Sequence, residues 1–313
     1  MAAELTPAQQ DVLDLLRAAG VERPVVDPDL RHRLRDELEG AIAPLAASLD
    51  RPLWVAKAAL GRVQACETHH LDEEAADFEW SVPAARGTVA HKAIELSLHL
   101  RGDPTPLGLV DAALDRLGDD PDSSLASFLL GLDEPARADL RSEVNAMVAS
   151  FVELWPPLQR AWRPETESRR RVELCGGRVI LSGKVDLTLG APAGVTAGRL
   201  VVDLKTGTAH AGHVDDLRFY ALLDTLRGGV PPFRVASYYL DSGTFRPEDV
   251  TPAVLEAAVR RTVAGVTRMA ELRLGLRSPA VTPNPTCRWC RLRHDCDGAR
   301  TWAEAGAEDQ PGR

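Results

Sequence analysis

Leu181-Ser182-Gly183-Lys184-Val185-Asp186-Leu187-Thr188-Leu189-Gly190, followed after a Gly/Ala/Pro loop by Val201-Val202-Asp203-Leu204-Lys205-Thr206-Gly207, is the stretch that decides how this chain of 313 residues is read. Both halves are rich in β-branched and aliphatic residues and read as strands. Side chains alternate along a strand, so Asp203 and Lys205 share one face, about 6.6 Å apart, while Leu204 points away and keeps its carbonyl near them. Asp186 lies near the end of the preceding strand. Two carboxylates and a carbonyl are hard oxygen donors suited to Mg²⁺ or Mn²⁺, and the lysine ammonium beside them could orient a water or steady a developing negative charge. A D…DxK spacing alone equally describes an Asp/Lys ladder on a solvated strand edge.

Working outward, Arg169–Cys175 and Arg178–Leu189 alternate as strands around Gly176-Gly177, a two-residue hairpin signal. Leu200–Lys205 is a third strand, and a helix over Val214–Leu226, a strand over Phe233–Leu240 and a long helix from Thr251-Pro252 follow. Upstream, helical periodicity covers Pro7–Ala18 behind the capping Thr6, the Leu30, Leu34, Leu38, Ile42 series, Pro52–Ala65, Arg86–Leu100 and Glu134–Trp155. The order β-β-β-α-β-α predicts an α/β fold, a mixed central sheet flanked by helices, behind a largely helical amino-terminal half.

Composition bounds the function. Hydrophobic residues are 44% and charged residues 27%, as in a soluble globular chain long enough for one large or two modest domains. No run reaches the roughly 18 apolar residues a bilayer needs, and the amino terminus lacks a basic segment followed by an apolar one, so a cytoplasmic protein with no membrane partner is expected. A net charge of −9 argues against binding nucleic acid by bulk electrostatics. It leaves room for a local basic groove, and arginines cluster at Arg169, Arg170 and Arg171 and at Arg288, Arg291 and Arg293.

Further elements occur in a fixed order around the strand pair: Gly87-Thr88-Val89-Ala90-His91 on an upstream helix, Thr206-Gly207 directly after Lys205, and Asp216-Leu217-Arg218-Phe219-Tyr220 on the following helix. With Asp186 and Asp203-Leu204-Lys205, these resemble the PD-(D/E)XK nucleases, and among them the RecB-like branch with its GxxxH, (D/E)xK-TG and QxxxY motifs. The resemblance spans about residues 52–298. It implies a restriction-endonuclease-like core, one or two Mg²⁺ or Mn²⁺ ions held by His91, Asp186, Asp203 and the Leu204 carbonyl, and Lys205 acting on the attacking water or the transition-state charge. Tyr220 would support the lysine and contact DNA, and within Leu217–Leu223 it reads equally as an amphipathic core residue. The family glutamine is Asp216 here, leaving Arg218 to supply part of its polar contact. Glu95, one turn after His91, is placed to assist it. Glu167 reads as a structural salt bridge to a neighbouring arginine.

The five cysteines, Cys66, Cys175, Cys287, Cys290 and Cys296, are an odd number and do not suggest a disulfide framework. Three form C-x2-C-x5-C, close enough to share one centre that needs a fourth ligand, for which Cys66 is the natural candidate. One cysteine before the core and three after it resembles the iron-sulfur nucleases of the RecB, AddB and CRISPR-adaptation type, which implies a [4Fe-4S] cluster on Cys66, Cys287, Cys290 and Cys296. Zinc suits four thiolates as well, and His294 could replace one of them. Cys175 reads as a plain strand residue.

The expected organisation is a helical accessory region over 1–50, a nuclease domain over 51–300 whose two ends a cysteine centre closes, and a flexible tail over 301–313. The expected activity is metal-dependent hydrolysis of DNA by an exonuclease acting on single strands or free ends, in repair, recombination or defence. The alternative is a catalytically silent iron-sulfur or zinc module that binds DNA ends beside a partner helicase or nuclease. No Walker motif is visible, so ATP-driven unwinding would fall to a partner.

Overall fold

The computed structural model describes residues 5–18, 21–98 and 104–308. In chain order its elements are α1 (Pro7–Arg17), α2 (Leu30–Ala47), β1 (Leu53–Val55), α3 (Lys57–Ala65), α4 (Glu67–Ala75), α5 (Val82–Ser97), α6 (Pro106–Gly118), α7 (Ser124–Gly131) and α8 (Glu134–Leu154). The second half adds β2 (Glu165–Leu174), β3 (Val179–Leu189), β4 (Leu200–Lys205), α9 (Gly212–Gly228), β5 (Arg234–Tyr239), β6 (Thr244–Asp249), α10 (Pro252–Arg273) and α11 (Asp297–Glu308). This is a mixed sheet with flanking helices. Leu100, the expected end of the helix now seen as α5, and residues 309–313 of the expected tail lie outside the described residues. Residues 301–308 of that tail continue α11.

The chain divides into two compact units, Met1–Arg31 with Glu79–Arg170 and Lys184–Leu255, and His32–Phe78 with Arg171–Gly183 and Glu256–Arg313. In the first, β4 pairs antiparallel with β3 (Leu187↔Val202) and parallel with β5 (Asp203↔Ser237, Lys205↔Tyr239), and β5 pairs antiparallel with β6. A buried cluster of side chains from α1, α5, α6, α8 and these strands forms its core. Within it Trp155 stacks on Phe151 at 5.3 Å between ring centroids and meets Tyr238 edge-on at 4.8 Å, the offset and edge-to-face arrangements that ring quadrupoles favour. Caps set the helix starts: the Ser81, Thr105, Ser123 and Asp133 side chains accept from Ala84, Gly108, Ala126 and Ala136 N–H groups.

In the second unit, β1 pairs parallel with the start of β3, Leu53 opposite Val179. The helix expected from Pro52 therefore begins only at Lys57, because Leu53–Val55 spend their backbone groups on the sheet. Gly265 on α10 lets Leu60 of α3 approach: a Cβ there would meet Leu60 Cδ2 at 2.4 Å. Cys66 joins α3 to α4 in an extended conformation, φ −163°, ψ 118°. β6 has no counterpart among the expected strands: the ladder seats Pro247 and the charged Arg246, Glu248 and Asp249 on an edge strand, where proline and charge are tolerated.

Candidate active site

The site belongs to the first unit and is built where the middle of α5 meets the carboxyl end of β4. Gly87 makes that meeting possible, since a Cβ there would sit 3.2 Å from Thr206 Oγ1. Arg86 fastens it, donating to the Thr206 carbonyl at 3.2 Å and pairing with Glu143 at 2.8 Å. One turn beyond Gly87, His91 Nε2 donates to the Leu204 carbonyl at 3.1 Å, while the Leu204 N–H donates to Asp186 Oδ2 at 2.7 Å. The two polar groups of one strand residue thus hold a histidine from the helix and a carboxylate from β3. His91 Nδ1 faces Asp186 Oδ1 at 3.4 Å and Glu167 Oε1 at 3.6 Å, and His91, Glu167 and Asp186 each offer one ligand atom within 4.8 Å of the others.

Glu167 precedes the expected hairpin, where related nucleases often carry an acidic residue, but on sequence it reads as structural. It was expected to pair with an arginine; it pairs with Lys184 and faces His91. Its backbone is left-handed, φ +52°, inside β2, a conformation costing a non-glycine residue roughly 1–3 kcal/mol. That twist breaks the strand's two-residue alternation, so parity along β2 could not forecast where the carboxylate points.

Asp203 and Lys205 share a face as alternation demands, with Lys205 Nζ 2.5 Å from Asp203 Oδ2 and 3.1 Å from Asp216 Oδ2. Asp203 is not in the His91 cluster; it is 1% exposed and held against the lysine. Asp216 stands where the family glutamine was expected and supplies the lysine with a second carboxylate. Arg218 faces Glu248 in a bidentate pair instead of replacing that glutamine. Tyr220 is 2% exposed and donates to the Lys184 carbonyl at 2.6 Å, so it positions β3 and offers no ring surface to nucleic acid. Glu95 pairs with Lys92 at 2.5 Å rather than with His91.

These groups open into a cavity of about 660 Å³, lined on one side by α5 from Pro83 to Glu95 and on the other by Glu167, Arg169, Lys184 and Leu204–Thr206. Lys92, Arg169, Lys184 and Lys205 bring cations to its lining, and of these Lys92, Lys184 and Lys205 pair with Glu95, Glu167 and Asp203. The three neighbouring arginines separate: Arg169 lines the cavity, Arg170 is buried against Asp224 and Glu165, and Arg171 pairs with Glu173. Burial opposes a charge on His91, but Asp186 and Glu167 outweigh it and push its pKa up to about 10. Burial likewise acts to raise Glu167, and the hydrogen bonds from His91 and Lys184 overcome it to hold the carboxyl below its ordinary value. Behind Lys205, His213 is pushed down to about 4 by burial and then by the charges of Lys205 and His210.

The second unit carries the cysteines. Cys66, Cys287, Cys290 and Cys296 line one cavity with Thr68, His69 and Asn284; Cys175 and His294 are not among its lining residues. Cys287 Sγ accepts from the Asn284 N–H at 3.4 Å, and burial pushes the Cys290 thiol up. Among the described residues no three of these sulfurs lie within 4.8 Å of one another. His69, rather than the expected His294, is the histidine beside them.

Among the described residues no helix is long and apolar enough to cross a membrane. Among solved structures, the chain is similar to a candidate exonuclease from Eubacterium rectale, with 13% identity, a TM-score of 0.47 and coverage of 79% of this chain and 87% of that one. It is also similar to SSO0001, with 14% identity, a TM-score of 0.34 and coverage of 84% and 95%. With scores and identities this low, neither likeness bears on function. No curated protein matches. The family model of the PD-(D/E)XK nuclease superfamily matches residues 56–297, a span that takes in the GxxxH helix, both acidic strands and all of the cysteines, and the chain belongs to that superfamily.

Proposed function

We propose that this nuclease hydrolyses DNA phosphodiester bonds with Mg²⁺ or Mn²⁺, as an exonuclease on single strands or free ends, and that it is a RecB-like member of its superfamily. The observation that carries the proposal is the junction at Leu204, where His91, Glu167 and Asp186 converge beside Lys205 at a cavity that also takes in Lys92, Arg169 and Lys184. One imidazole nitrogen and two carboxylate oxygens within 4.8 Å, with a backbone carbonyl alongside, are donors that fit a divalent ion. His91, Glu167 and Asp186 would hold it, and the family resemblance adds Asp203 and the Leu204 carbonyl as further ligands although Asp203 stands against Lys205 here. When bound, the ion would supply positive charge to the scissile phosphate and lower the pKa of a water.

The remaining chemistry belongs to the chain's own groups. Lys205, fixed by Asp203 and Asp216, directs its ammonium at the attacking water or a phosphoryl oxygen, where it gains most as charge builds up. Lys92, Arg169 and Lys184 take flanking phosphates and set the register of the strand without reading bases. Tyr220 supports β3 from behind. The choice of DNA, of free ends and of the RecB-like branch rests on the motif order Gly87–His91, Lys205–Gly207 and Asp216–Tyr220.

We propose further that Cys66, Cys287, Cys290 and Cys296 hold a [4Fe-4S] cluster closing a nuclease domain over 51–300, with 1–50 as an accessory region, in a cytoplasmic protein that works beside a helicase or repair partner. The four cysteines line one cavity. Four thiolates suit a cluster or a single zinc, and the choice of a cluster rests on the resemblance of one cysteine before the core and three after it to the iron-sulfur nucleases. The test is cleavage of end-labelled single-stranded and duplex DNA in Mn²⁺ against EDTA, together with the visible spectrum of anaerobically purified protein. Metal-dependent shortening from an end supports the exonuclease reading; DNA binding without cleavage would favour the silent end-binding module.

A further inference from the structure

The face of the sheet that carries Asp203 and Lys205 continues past them. Register places Asp203 beside Ser237 on β5 and Ser237 beside Arg246 on β6, while Lys205 lies beside Tyr239. Over this continuation lies a second cavity, of about 510 Å³, floored by Ser237, Tyr239 and Arg246 and walled by the first turns of α9 with His210 at its lip. It adjoins the candidate active site directly: Lys205 lines the first cavity, and its strand neighbour Tyr239, bonded to His213 Nδ1 at 2.9 Å, lines the second. Nothing in the hydrolysis just described uses it.

Its chemistry is specific. Arg218 and Glu248 neutralise each other through three contacts of 2.5–3.2 Å, which leaves Arg246, its guanidinium 5.7 Å from the Tyr239 ring, as the cation facing the cavity without a carboxylate partner among the described residues. His210 is exposed at the mouth, its ring centroid 3.6 Å from that of His213 with the two planes tilted by 45°. Ser237, 3% exposed, brings a hydroxyl to the floor. One cation, one aromatic platform and one hydroxyl in a cavity within the roughly 300–1,000 Å³ range of small-ligand pockets match a nucleotide. Neighbouring strands are about 4.8 Å apart, so Arg246 lies roughly 10 Å across the sheet from Asp203.

We propose that this cavity seats the unpaired nucleotide adjoining the scissile phosphate, its phosphate on Arg246 and Ser237 and its base stacked on His210. The assignment rests on the proposed nuclease function and narrows its substrate to strands that are unpaired at this position, because a base in a duplex would first have to be unpaired and unstacked, at a cost of about a few kcal/mol. It also gives a role to the His210-Ala211-Gly212-His213 segment.

The test uses the full chain bearing Lys205→Ala, which suppresses digestion, and measures fluorescence anisotropy with a single-stranded oligonucleotide and with a blunt duplex of equal length. Adding Arg246→Ala or His210→Ala should weaken single-strand binding roughly tenfold while changing duplex binding far less. Both residues are exposed, and unchanged melting temperatures would verify folding. An oligonucleotide with one 5-iodouracil next to the cleavage position should photocross-link at His210 or Tyr239. Equal single-strand affinity with and without the substitutions, or cross-links elsewhere, would overturn the subsite. If wild-type protein cleaves nothing in Mn²⁺ while the variants still lose single-strand affinity, the subsite stands and the nuclease reading falls.

Discussion

Replacing Glu167 with Gln removes one negative charge and little volume from the His91 cluster. The carboxylate lies 3.6 Å from His91 Nδ1, with 18% of its side chain exposed, and pairs on its other side with Lys184. Two unit charges at about 4 Å interact by about 4 kcal/mol at an effective dielectric of 20. Partial exposure and relaxation of Lys184 toward the vacated position remove part of that, leaving about 3 kcal/mol. Since about 1.4 kcal/mol is a factor of ten, the Mn²⁺ concentration for half-maximal cleavage should rise roughly 100-fold. The rate at saturating Mn²⁺ should fall much less, because Lys205 is untouched. In the metal-free protein His91 would lose one of the two carboxylates that raise its pKa, which should drop toward the ordinary imidazole value. The assay is initial cleavage rate against Mn²⁺ concentration, with His91 titrated in parallel by NMR. A wild-type Mn²⁺ dependence in Glu167→Gln would refute the idea that Glu167 helps to hold the ion.

Three further outcomes follow from the same geometry. With its pKa at about 10, His91 is protonated at pH 7–8 but must be neutral to ligate, so Mn²⁺ binding should release close to one proton there and tighten as pH rises; calorimetry in buffers of different ionisation enthalpy measures this, and His91→Ala should abolish the release. His213, lowered to about 4 from its ordinary 6.5, binds its proton more readily unfolded than folded, so it contributes stability above pH 6.5 that is lost as pH falls toward 4; His213→Asn should flatten the dependence of Tm on pH in that window. Cys290→Ala should remove iron, bleach visible absorbance and lower Tm, and full retention of all three would sink the cluster assignment.

Part of this site was legible in the sequence through a simple period, Asp203 and Lys205 lying two residues apart on a buried strand, and part through the family's motif order, which assigned His91. Asp186 follows from its place on the preceding strand. What escaped was set by tertiary geometry. Glu167 reaches His91 only through a left-handed backbone that breaks the alternation of β2. Asp216 reads as a lost glutamine but stands as a second partner for Lys205. The two shortest or most polar strands, β1 and β6, carry too few residues or too much charge to signal themselves, and exist because the sheet has edges to fill. Cys66 was linked to the other three cysteines by resemblance, since more than 200 residues of chain separate it from them.

The most direct measurement is cleavage and DNA affinity of wild type and Lys205→Ala across a Mn²⁺ titration, with Asp186→Ala alongside. The lysine variant should lose cleavage by roughly 100-fold or more while keeping wild-type Mn²⁺ and DNA affinity, because its charge acts only as the bond breaks. Asp186→Ala should lose Mn²⁺ affinity itself. Wild-type cleavage by Lys205→Ala, or no metal-dependent cleavage by the native chain, would contradict the account.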